Sequence, residues 1–463
     1  MALAPVLDPG VSAAVLAEAC ADRTPRGIAA AVHRLIRSGA LVVGDRLPTV
    51  RDLGRELGVS PATVSEAWQA LAAVGAIQAR GRAGTFVRES QEPTRPSRYL
   101  GIGSAPNTDG LDLSRGTPDA RMLPSLREAM QRVIERGGSL TTSYLDEPVL
   151  PDLLVLLEAS WPFVPERLTV VDGALDALSR VIDQSVRLGD RVVMEDPGFP
   201  PLIDLLERAG AEILPCPLDE SGLIPAALEQ LLVREPVALF LQPRAQNPTG
   251  ISMTRERAVE LATVLAPVRC LIVEDDHSGD IATGEDVSVG RFLPDRTVHI
   301  RSYSKSHGPD LRIAALGGTA DVVDPLVARR MLGPGWTSRL LQAVLVELLT
   351  DQAAIAAVNN ARTTYAMRGL AVRAGLAAAG VESTRGDGIN TWVRVLDQRA
   401  ALVSLAAQGI RVSPGEPFLI EQRPCGYLRV TTGVLDEDDG DHLSHVVEAL
   451  VTAANAPPVV RGV

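Results

Sequence analysis

The sequence predicts an α/β chain in two parts: a small helical head closed by a β-hairpin, and a large body whose mainly parallel sheet carries helices on both faces. Three features of the 463 residues carry that expectation. Between residues 25 and 87, helical periodicity is interrupted by a three-residue turn and followed by a basic, glycine-tipped hairpin pattern. Residues 88–110, "RESQEPTRPSRYLGIGSAPNTDG", are rich in Pro, Ser, Gly and charge, as linkers are. Beyond them, short apolar runs alternate with longer amphipathic stretches. The chain thus divides into a head (1–90), a linker (91–112) and a body (113–463).

In the head, "PRGIAAAVHRLIRS" sets Ile28, Val32, Leu35 and Ile36 on one helical face, with Gly39 as a stop. "LPTVRDLGREL" repeats the pattern with Val50, Leu53 and Leu57, and Gly58 closes it. Ser60 has the character of an N-cap and Pro61 of a first helical residue. The next helix turns Val64, Ala67, Trp68 and Leu71 inward and leaves Thr63, Glu66 and Gln69 outward. "AIQARGRAGTFV" reads as two short strands about a tip bearing Arg80 and Arg82. This order is that of a winged helix-turn-helix. A small bundle with no nucleic-acid role has the same periodicity, but the basic hairpin favours double-stranded DNA. The candidate DNA-facing residues are Arg46, Arg51, Ser60, Thr63, Ser65, Arg80 and Arg82.

The charge balance agrees. The chain carries −12 overall, which excludes a general polyanion binder, yet residues 1–90 hold 10 Arg against 8 acidic residues. An apolar share of 46% is ample for large cores. Cys20, Cys216, Cys270 and Cys425 lie far apart and form no pair motif, as expected of reduced thiols. The N-terminal stretch has no basic region of the signal-peptide kind, and no apolar run reaches the ~18 residues of a membrane span. The simplest expectation is a cytoplasmic protein.

In the body, "LTVVDG", "RVVMEDPG", "VALFLQP", "CLIVEDD" and "RTVHIRSYSK" are strand-like. Parallel sheets bind ligands beyond the carboxyl ends of their strands, so the loops that follow deserve the closest reading. "DGALDAL" opens a helix with Gly173 and Ala174, whose bare N–H groups can seat a phosphate; alone it is an ordinary turn. "DPGFPP" holds Phe199 in a rigid turn, where an aromatic ring can stack on a planar ligand or simply pack in the core. In "QPRAQNPTG", Asn247 offers an amide to an oxygen anion. "EDDHSGD" contains Glu274, Asp275, Asp276, His277 and Asp280, a possible metal set. Consecutive acids on a strand point to opposite faces, however, which favours one carboxylate and one nearby His aimed at a ligand, with no metal.

The last loop is "RSYSKSHGPDLR". Lys305 is the only lysine among 45 basic residues. A lysine can lose its proton in a dry pocket and attack a carbonyl; arginine stays protonated. Ser302 and Arg312 beside it suit a phosphate. A carbonyl cofactor with a phosphate, a planar ring, a basic ring nitrogen and a phenolic oxygen is pyridoxal 5'-phosphate.

These motifs carry a resemblance. "SYSKSHGPDLR", "QNPTG" and "DPGFP" resemble fold-type I aminotransferases, and "GDRLPTVRDLGRELGVSPATVSEAWQALAAVGAIQARGRAGTFV" resembles the winged helix of GntR-type regulators. In this order, over about residues 22–455, they resemble the MocR subfamily, a DNA-binding head fused to an aminotransferase-like body. The resemblance implies a large portion of the body at about 113–340 and a smaller C-terminal α+β portion at about 341–463. It implies Lys305 as the residue forming a Schiff base with the cofactor, Asp275 on the ring nitrogen, Asn247 on the phenolic oxygen and Phe199 stacked on the ring. Gly173, Ala174, Ser302 and Arg312 would hold the phosphate, and Arg429 in "GYLRVTT" the ligand's carboxylate. Tyr144 would reach the partner subunit's cofactor, so a homodimer is implied. His277 stands where the family usually has a tyrosine, Asn390 replaces a common histidine, and Pro61 and Ser65 replace arginines common in related heads. The function implied is a transcription regulator that senses an amino acid or amine by Schiff-base exchange. An aminotransferase with a secondary DNA-binding head, and a body that serves only as a dimerisation scaffold, are the alternatives.

Overall fold

A computed structural model describes residues 12–73, 75–81, 84–88, 96–102, 110–137, 143–421, 423, 425–436 and 440–457. The chain forms two compact units: the head through Ser97 together with the short segments 186–190 and 205–212, and the remainder of the body.

The head contains α1 (Ala13–Ala19), α2 (Pro25–Arg37), β1 (Arg46–Leu47), α3 (Val50–Leu57), α4 (Pro61–Ala73), β2 (Ile77–Ala79) and β3 (Thr85–Val87). Local chemistry starts each helix. Thr24 Oγ1 accepts the Gly27 N–H at 3.1 Å with Pro25 as the first helical residue, and Thr49 Oγ1 accepts the Asp52 N–H at 3.2 Å. Ser60 Oγ accepts the Thr63 N–H at 3.1 Å, so the sequence reading of Ser60 and Pro61 holds. Leu16, Ile28, Val32, Leu53, Val64 and Leu71 are each fully buried. Two elements escaped the sequence reading. Helix α1 contributes Leu16 to this core, and β1 adds a third strand, Arg46 opposite Phe86, to the expected β2–β3 hairpin. Two residues of strand are too short to show a period.

The body begins with α5 (Ser97–Gly101), β4 (Leu111–Leu113), α6 (Leu126–Arg136), α7 (Pro151–Ser160), β5 (Arg167–Val171), α8 (Ala174–Ser185) and β6 (Arg191–Asp196). It continues with α9 (Pro200–Ala209), β7 (Glu212–Asp219), β8 (Gly222–Leu223), α10 (Pro225–Leu232), β9 (Ala238–Leu241), α11 (Arg255–Leu265), β10 (Leu271–Asp276), β11 (Thr297–Ser302) and β12 (Ala314–Gly318). The last part comprises α12 (Ala320–Met331), α13 (Arg339–Thr350), α14 (Gln352–Ala378), β13 (Thr391–Val395), α15 (Gln398–Ala406), β14 (Ile410–Pro414), β15 (Gly426–Val430) and α16 (Gly440–Ala454).

The main sheet has the order β5-β12-β11-β10-β9-β6-β7-β8. β6, β9, β10 and β11 are mutually parallel, while β12 runs antiparallel between β11 and β5. The five strand-like runs of the sequence are all strands, and the central ones are buried on both faces, as a helix-covered parallel sheet requires. β12, "AALGG", is built of small residues and gave no strand signal of its own.

A second sheet, β13-β15-β14-β4, forms the core of the C-terminal portion with Val372, Leu376, Val446 and Leu450. Its fourth strand is β4, which pairs in parallel with Ile410–Val412. Leu111 and Asp112 lie inside the stretch read as linker, yet here they are sheet. Earlier in that stretch, the Tyr99 N–H donates to Asp204 Oδ2 at 2.9 Å and Arg98 Nη1 to the Leu419 carbonyl at 2.8 Å. Residues 98–99 and 111–112 are therefore bonded into the body, because strand and side-chain partners distant in sequence complete them. No single described helix is long and apolar enough to cross a membrane.

Candidate functional site

The parallel register lines up the carboxyl ends of β9, β10 and β11. Leu241 is level with Glu274 and Asp275 with Ile300, while Ser302, Ala314 and Val171 lie side by side. Gln242, Asp275 and Ser302 therefore meet at one edge of the sheet, with Asp172 and Gly173 next along it.

Asp275 is 2% exposed. Its Oδ2 accepts Gln242 Nε2 at 2.7 Å, and its Oδ1 is buried without a partner among the described residues. Burial raises its carboxyl to about 6, against the lowering effect of the Gln242 hydrogen bond. Its neighbours face elsewhere, as strand alternation predicts. Glu274 accepts Ser288 Oγ and the Val289 N–H, each at 2.6 Å, and lies 2.9 Å from His299 Nδ1, while Asp276 pairs with Arg244. Among the described residues no group of three or more His, Cys, Asp or Glu is placed to hold a metal.

Lys305 Nζ donates to the Gly116 carbonyl. Burial pushes its amine down to about 8, helped by the positive charge of Arg429 and opposed by Asp275. Arg429 is also buried, with Nη2 on the Ser114 carbonyl, Nη1 3.3 Å from Asn247 Oδ1, and its guanidinium over the Phe418 ring. Its Nε lacks a partner among the described residues, and burial alone pushes its pKa down. Gly116, at φ +62°, makes this packing possible: a Cβ there would lie 3.0 Å from Arg429 Nη1. Asn390 is buried nearby and accepts Thr431 Oγ1 at 3.2 Å, and that hydroxyl accepts the Gly116 N–H at 2.8 Å.

Asn247 has its backbone N–H on Gln242 Oε1 at 2.8 Å and its side-chain oxygen toward Arg429, so its amide N–H groups remain to be donated. His277 Nε2 lies 3.0 Å from the Ala245 carbonyl, and burial holds its imidazole down at about 4, hence neutral. Gly173 and Arg312 form the other end. Arg312 donates to the Asp172 carbonyl at 2.9 Å, and a Cβ on Gly173, at φ +103°, would meet the guanidinium at 3.0 Å. Ala174 opens α8, whose first N–H groups have no intrahelical partners. Ser302 is buried at the end of β11. Phe199 is half-buried in the turn after β6.

Tyr144 is not brought into this cluster. It is 91% exposed, and its ring stacks on Trp336 at 6.1 Å.

Sequence reasoning missed Gly116, Gln242, Gln246 and Glu195. Gln246 Nε2 donates to the Pro197 carbonyl at 2.8 Å and to Glu195 Oε2 at 3.3 Å; burial pushes the Glu195 carboxyl up to about 8. The glutamines stood in the quoted loop "QPRAQNPTG", and two amides flanking a turn were the available signal.

In the head, Arg51 and Arg80 are exposed, with Arg80 over the Phe86 ring at 5.2 Å. Arg46 packs against Gly84 at the β1 edge. Ser60 is exposed, while Thr63 and Ser65 are half-buried on α4, and the two hydroxyls of Ser60 and Thr63 lie 2.8 Å apart. Arg82 lies outside the described residues.

Comparison with known proteins places both parts. The aminotransferase class I and II family matches residues 108–447, and the bacterial regulatory proteins of the gntR family match residues 24–87. The vitamin B6 salvage pathway transcriptional repressor PtsJ of Salmonella typhimurium is 32% identical over 423 residues, covering 90% of this chain and 96% of that one. The pyridoxine biosynthesis transcriptional regulator PdxR of Corynebacterium glutamicum is 26% identical, covering 84% and 87%. Among solved structures, a kynurenine aminotransferase of Pyrococcus horikoshii superposes with a TM-score of 0.68 at 20% identity, over 76% of this chain and 93% of that one. LysN, an α-aminoadipate aminotransferase of Thermus thermophilus, gives 0.67 at 23%, over 74% and 92%. At such identities these two establish the fold.

Proposed function

The chain belongs to the MocR subfamily of GntR-type transcriptional regulators, and from that premise we propose that its body holds pyridoxal 5'-phosphate and uses it to sense an amino acid or amine, in the cytoplasm, as a DNA-bound homodimer. The observation that carries the cofactor reading is Asp275 Oδ1, a buried carboxylate oxygen at the strand ends with no partner among the described residues. A protonated ring nitrogen supplies the missing donor and a compensating charge. The other residues fit the same molecule. Asn247 has amide N–H groups to offer a phenolic oxygen. Gly173, the start of α8, Ser302 and Arg312 suit a phosphate. Phe199 is assigned to the ring face.

When bound, the cofactor supplies an aldehyde that condenses with amines and a ring that withdraws electrons. Lys305 supplies an amine that burial has made partly neutral near pH 7, the form able to attack a carbonyl. Arg429, a desolvated cation without a carboxylate partner among the described residues, is the seat for the ligand's carboxylate. Neutral His277 is held by Ala245 and adds no charge to the site. Tyr144, with exposed Leu145 and Leu332, is assigned to the subunit contact. Ligand arrival changes DNA binding only if the ligand has different affinities for two states of the body.

The test uses the full-length chain. With cofactor added, it should gain visible absorbance that borohydride reduction fixes on the peptide containing Lys305. No uptake, or labelling elsewhere, overturns the cofactor reading. Amino acids and amines are then screened for changes in that absorbance and in retardation of the DNA upstream of its own gene. A ligand that alters both identifies the effector. One that is turned over with no change in DNA retardation favours the aminotransferase alternative.

A further inference from the structure

Two glutamines of the loop after β9 tie the strand ends to one another. Gln242 is 4% exposed. Its Oε1 accepts the Asn247 backbone N–H at 2.8 Å, its Nε2 donates to Asp275 Oδ2 at 2.7 Å, and its own N–H donates to Glu195 Oε2 at 3.1 Å. A backbone N–H can only donate, so Oε1 must face Asn247 and Nε2 is thereby turned toward Asp275. The carboxamide has one usable orientation. Gln246 is pinned by the same logic: its Oε1 accepts the Thr249 N–H at 3.1 Å and the Thr249 hydroxyl at 2.6 Å, which leaves Nε2 for Glu195 and the Pro197 carbonyl.

We propose that Gln242 is the positioning residue of the cofactor site: one carboxamide sets the separation of Asp275 from Asn247, holds Asp275 as a carboxylate, and leaves its Oδ1 for the ring nitrogen. The inference rests on the cofactor reading given above. Asp275 and Asn247 are assigned to different edges of one rigid ring, so an error in their spacing cannot be absorbed by the ligand. Their own elements do not fix that spacing, since one sits on β10 and the other in the turn after β9. Gln242 bonds to both. It also settles the ionisation of Asp275, because an N–H donated to a carboxyl group favours the ionised form. Burial pulls the other way and leaves this carboxyl at about 6. A second anion behind it would raise it further. Glu195, pushed up to about 8, is neutral at pH 7 and adds none. The Gln242 N–H and Gln246 Nε2 both converge on Glu195 Oε2, which leaves the acid's proton for its other oxygen. Gln242 touches no reacting atom, so its effect is transmitted through Asp275 and Asn247.

The experiment compares the full-length wild type with Gln242→Glu, Gln242→Asn and Gln242→Leu. Three readouts are taken: cofactor affinity, the pH midpoint of the bound cofactor's visible absorbance, and the unfolding midpoint of the cofactor-free chain. Gln242→Glu keeps the shape but sets a second carboxyl against Asp275, and two carboxyls in contact titrate as a pair. Its pH midpoint should move by roughly one unit and its affinity fall by about tenfold or more. Gln242→Asn, one methylene shorter, can reach one partner but not both, and should retain more affinity than Gln242→Leu. If the wild type takes up no cofactor, the underlying reading fails. If the wild type binds and both Gln242→Glu and Gln242→Leu bind within about twofold of it with an unmoved pH midpoint, Gln242 has no positioning role and the cofactor reading stands. Loss of binding only in proportion to unfolded protein, with the folded remainder keeping the wild-type midpoint, overturns the positioning role as well.

Discussion

In the body, Asp275, Asn247 and Arg429 are each 8% exposed or less, and each is bonded to a partner from another element. In the head, Arg51 and Arg80 are exposed, Arg80 over the Phe86 ring, on a scaffold whose helices are started by side-chain hydrogen bonds. The difference matches two kinds of recognition. A small planar ligand is read by groups whose positions and charges are fixed beforehand by desolvation and mutual bonding. A duplex is approached through mobile cations that exchange water and counterions for phosphate. Changes in the body should therefore be severe and specific, and changes in the head graded and salt-dependent.

The largest effect is expected at Lys305. Lys305→Ala should abolish borohydride labelling of the chain altogether. In the wild type, the rate of cofactor attachment should rise with pH through about 8, because the amine's proton, lowered from 10.5 by burial, must be lost before it can attack. At pH 7 about one amine in ten is neutral. A rate that stays flat up to pH 10 would contradict the desolvated pocket.

Next comes a buried carboxyl that takes no part in the site. Glu274→Ala strips the partners from Ser288, the Val289 N–H and His299 in a fully buried cluster. It should destabilise the body by about 3 kcal/mol or more in denaturant unfolding, because several buried polar groups lose their partner at once. An unchanged midpoint would show that the body's buried polar groups are not the constraint inferred from their bonding.

Smaller again is Arg51→Ala in the head. It should weaken DNA binding by roughly tenfold or less and reduce the slope of log K against log salt by about one. Loss confined to one DNA sequence, with the salt slope intact, would instead make Arg51 a base reader and bring the head closer to the body's mode of recognition. The smallest effect is expected at His277. Its imidazole, held near 4, stays neutral above pH 5. His277→Gln should therefore leave the absorbance profile between pH 5 and 8 without a lost step, and a step that disappears in the variant would place a titrating histidine beside the cofactor.

The two regions also differ in how much of them could be read before the fold was known. Helices α2, α3 and α4 of the head announced themselves through Ser60, Pro61 and their apolar stripes, because capping and periodicity are local. The short partners did not: β1 becomes a strand only beside β3, and β4 only beside β14. In the body, each strand-end loop was legible one at a time, Lys305 by its chemistry and Asn247 by its turn. The bonds among the loops were not. Gln242 meets Asp275 because β9 and β10 are adjacent and in register, and nothing near either residue in the sequence records that adjacency. Tyr144 is a different case: the role that the resemblance gave it lies at the partner subunit's cofactor, and in the single chain its ring is exposed against Trp336.

By itself, the sequence determined the fold class, the family and the kinds of side chain that end each strand, since periodicity, capping and residue chemistry are properties of short segments. The tertiary structure alone decided which of those side chains are neutral, which are charged and which are left without a partner. Those properties depend on burial and on groups brought together by strand order. The pKa of about 8 at Lys305, the open oxygen of Asp275 and the single orientation of Gln242 all arise there.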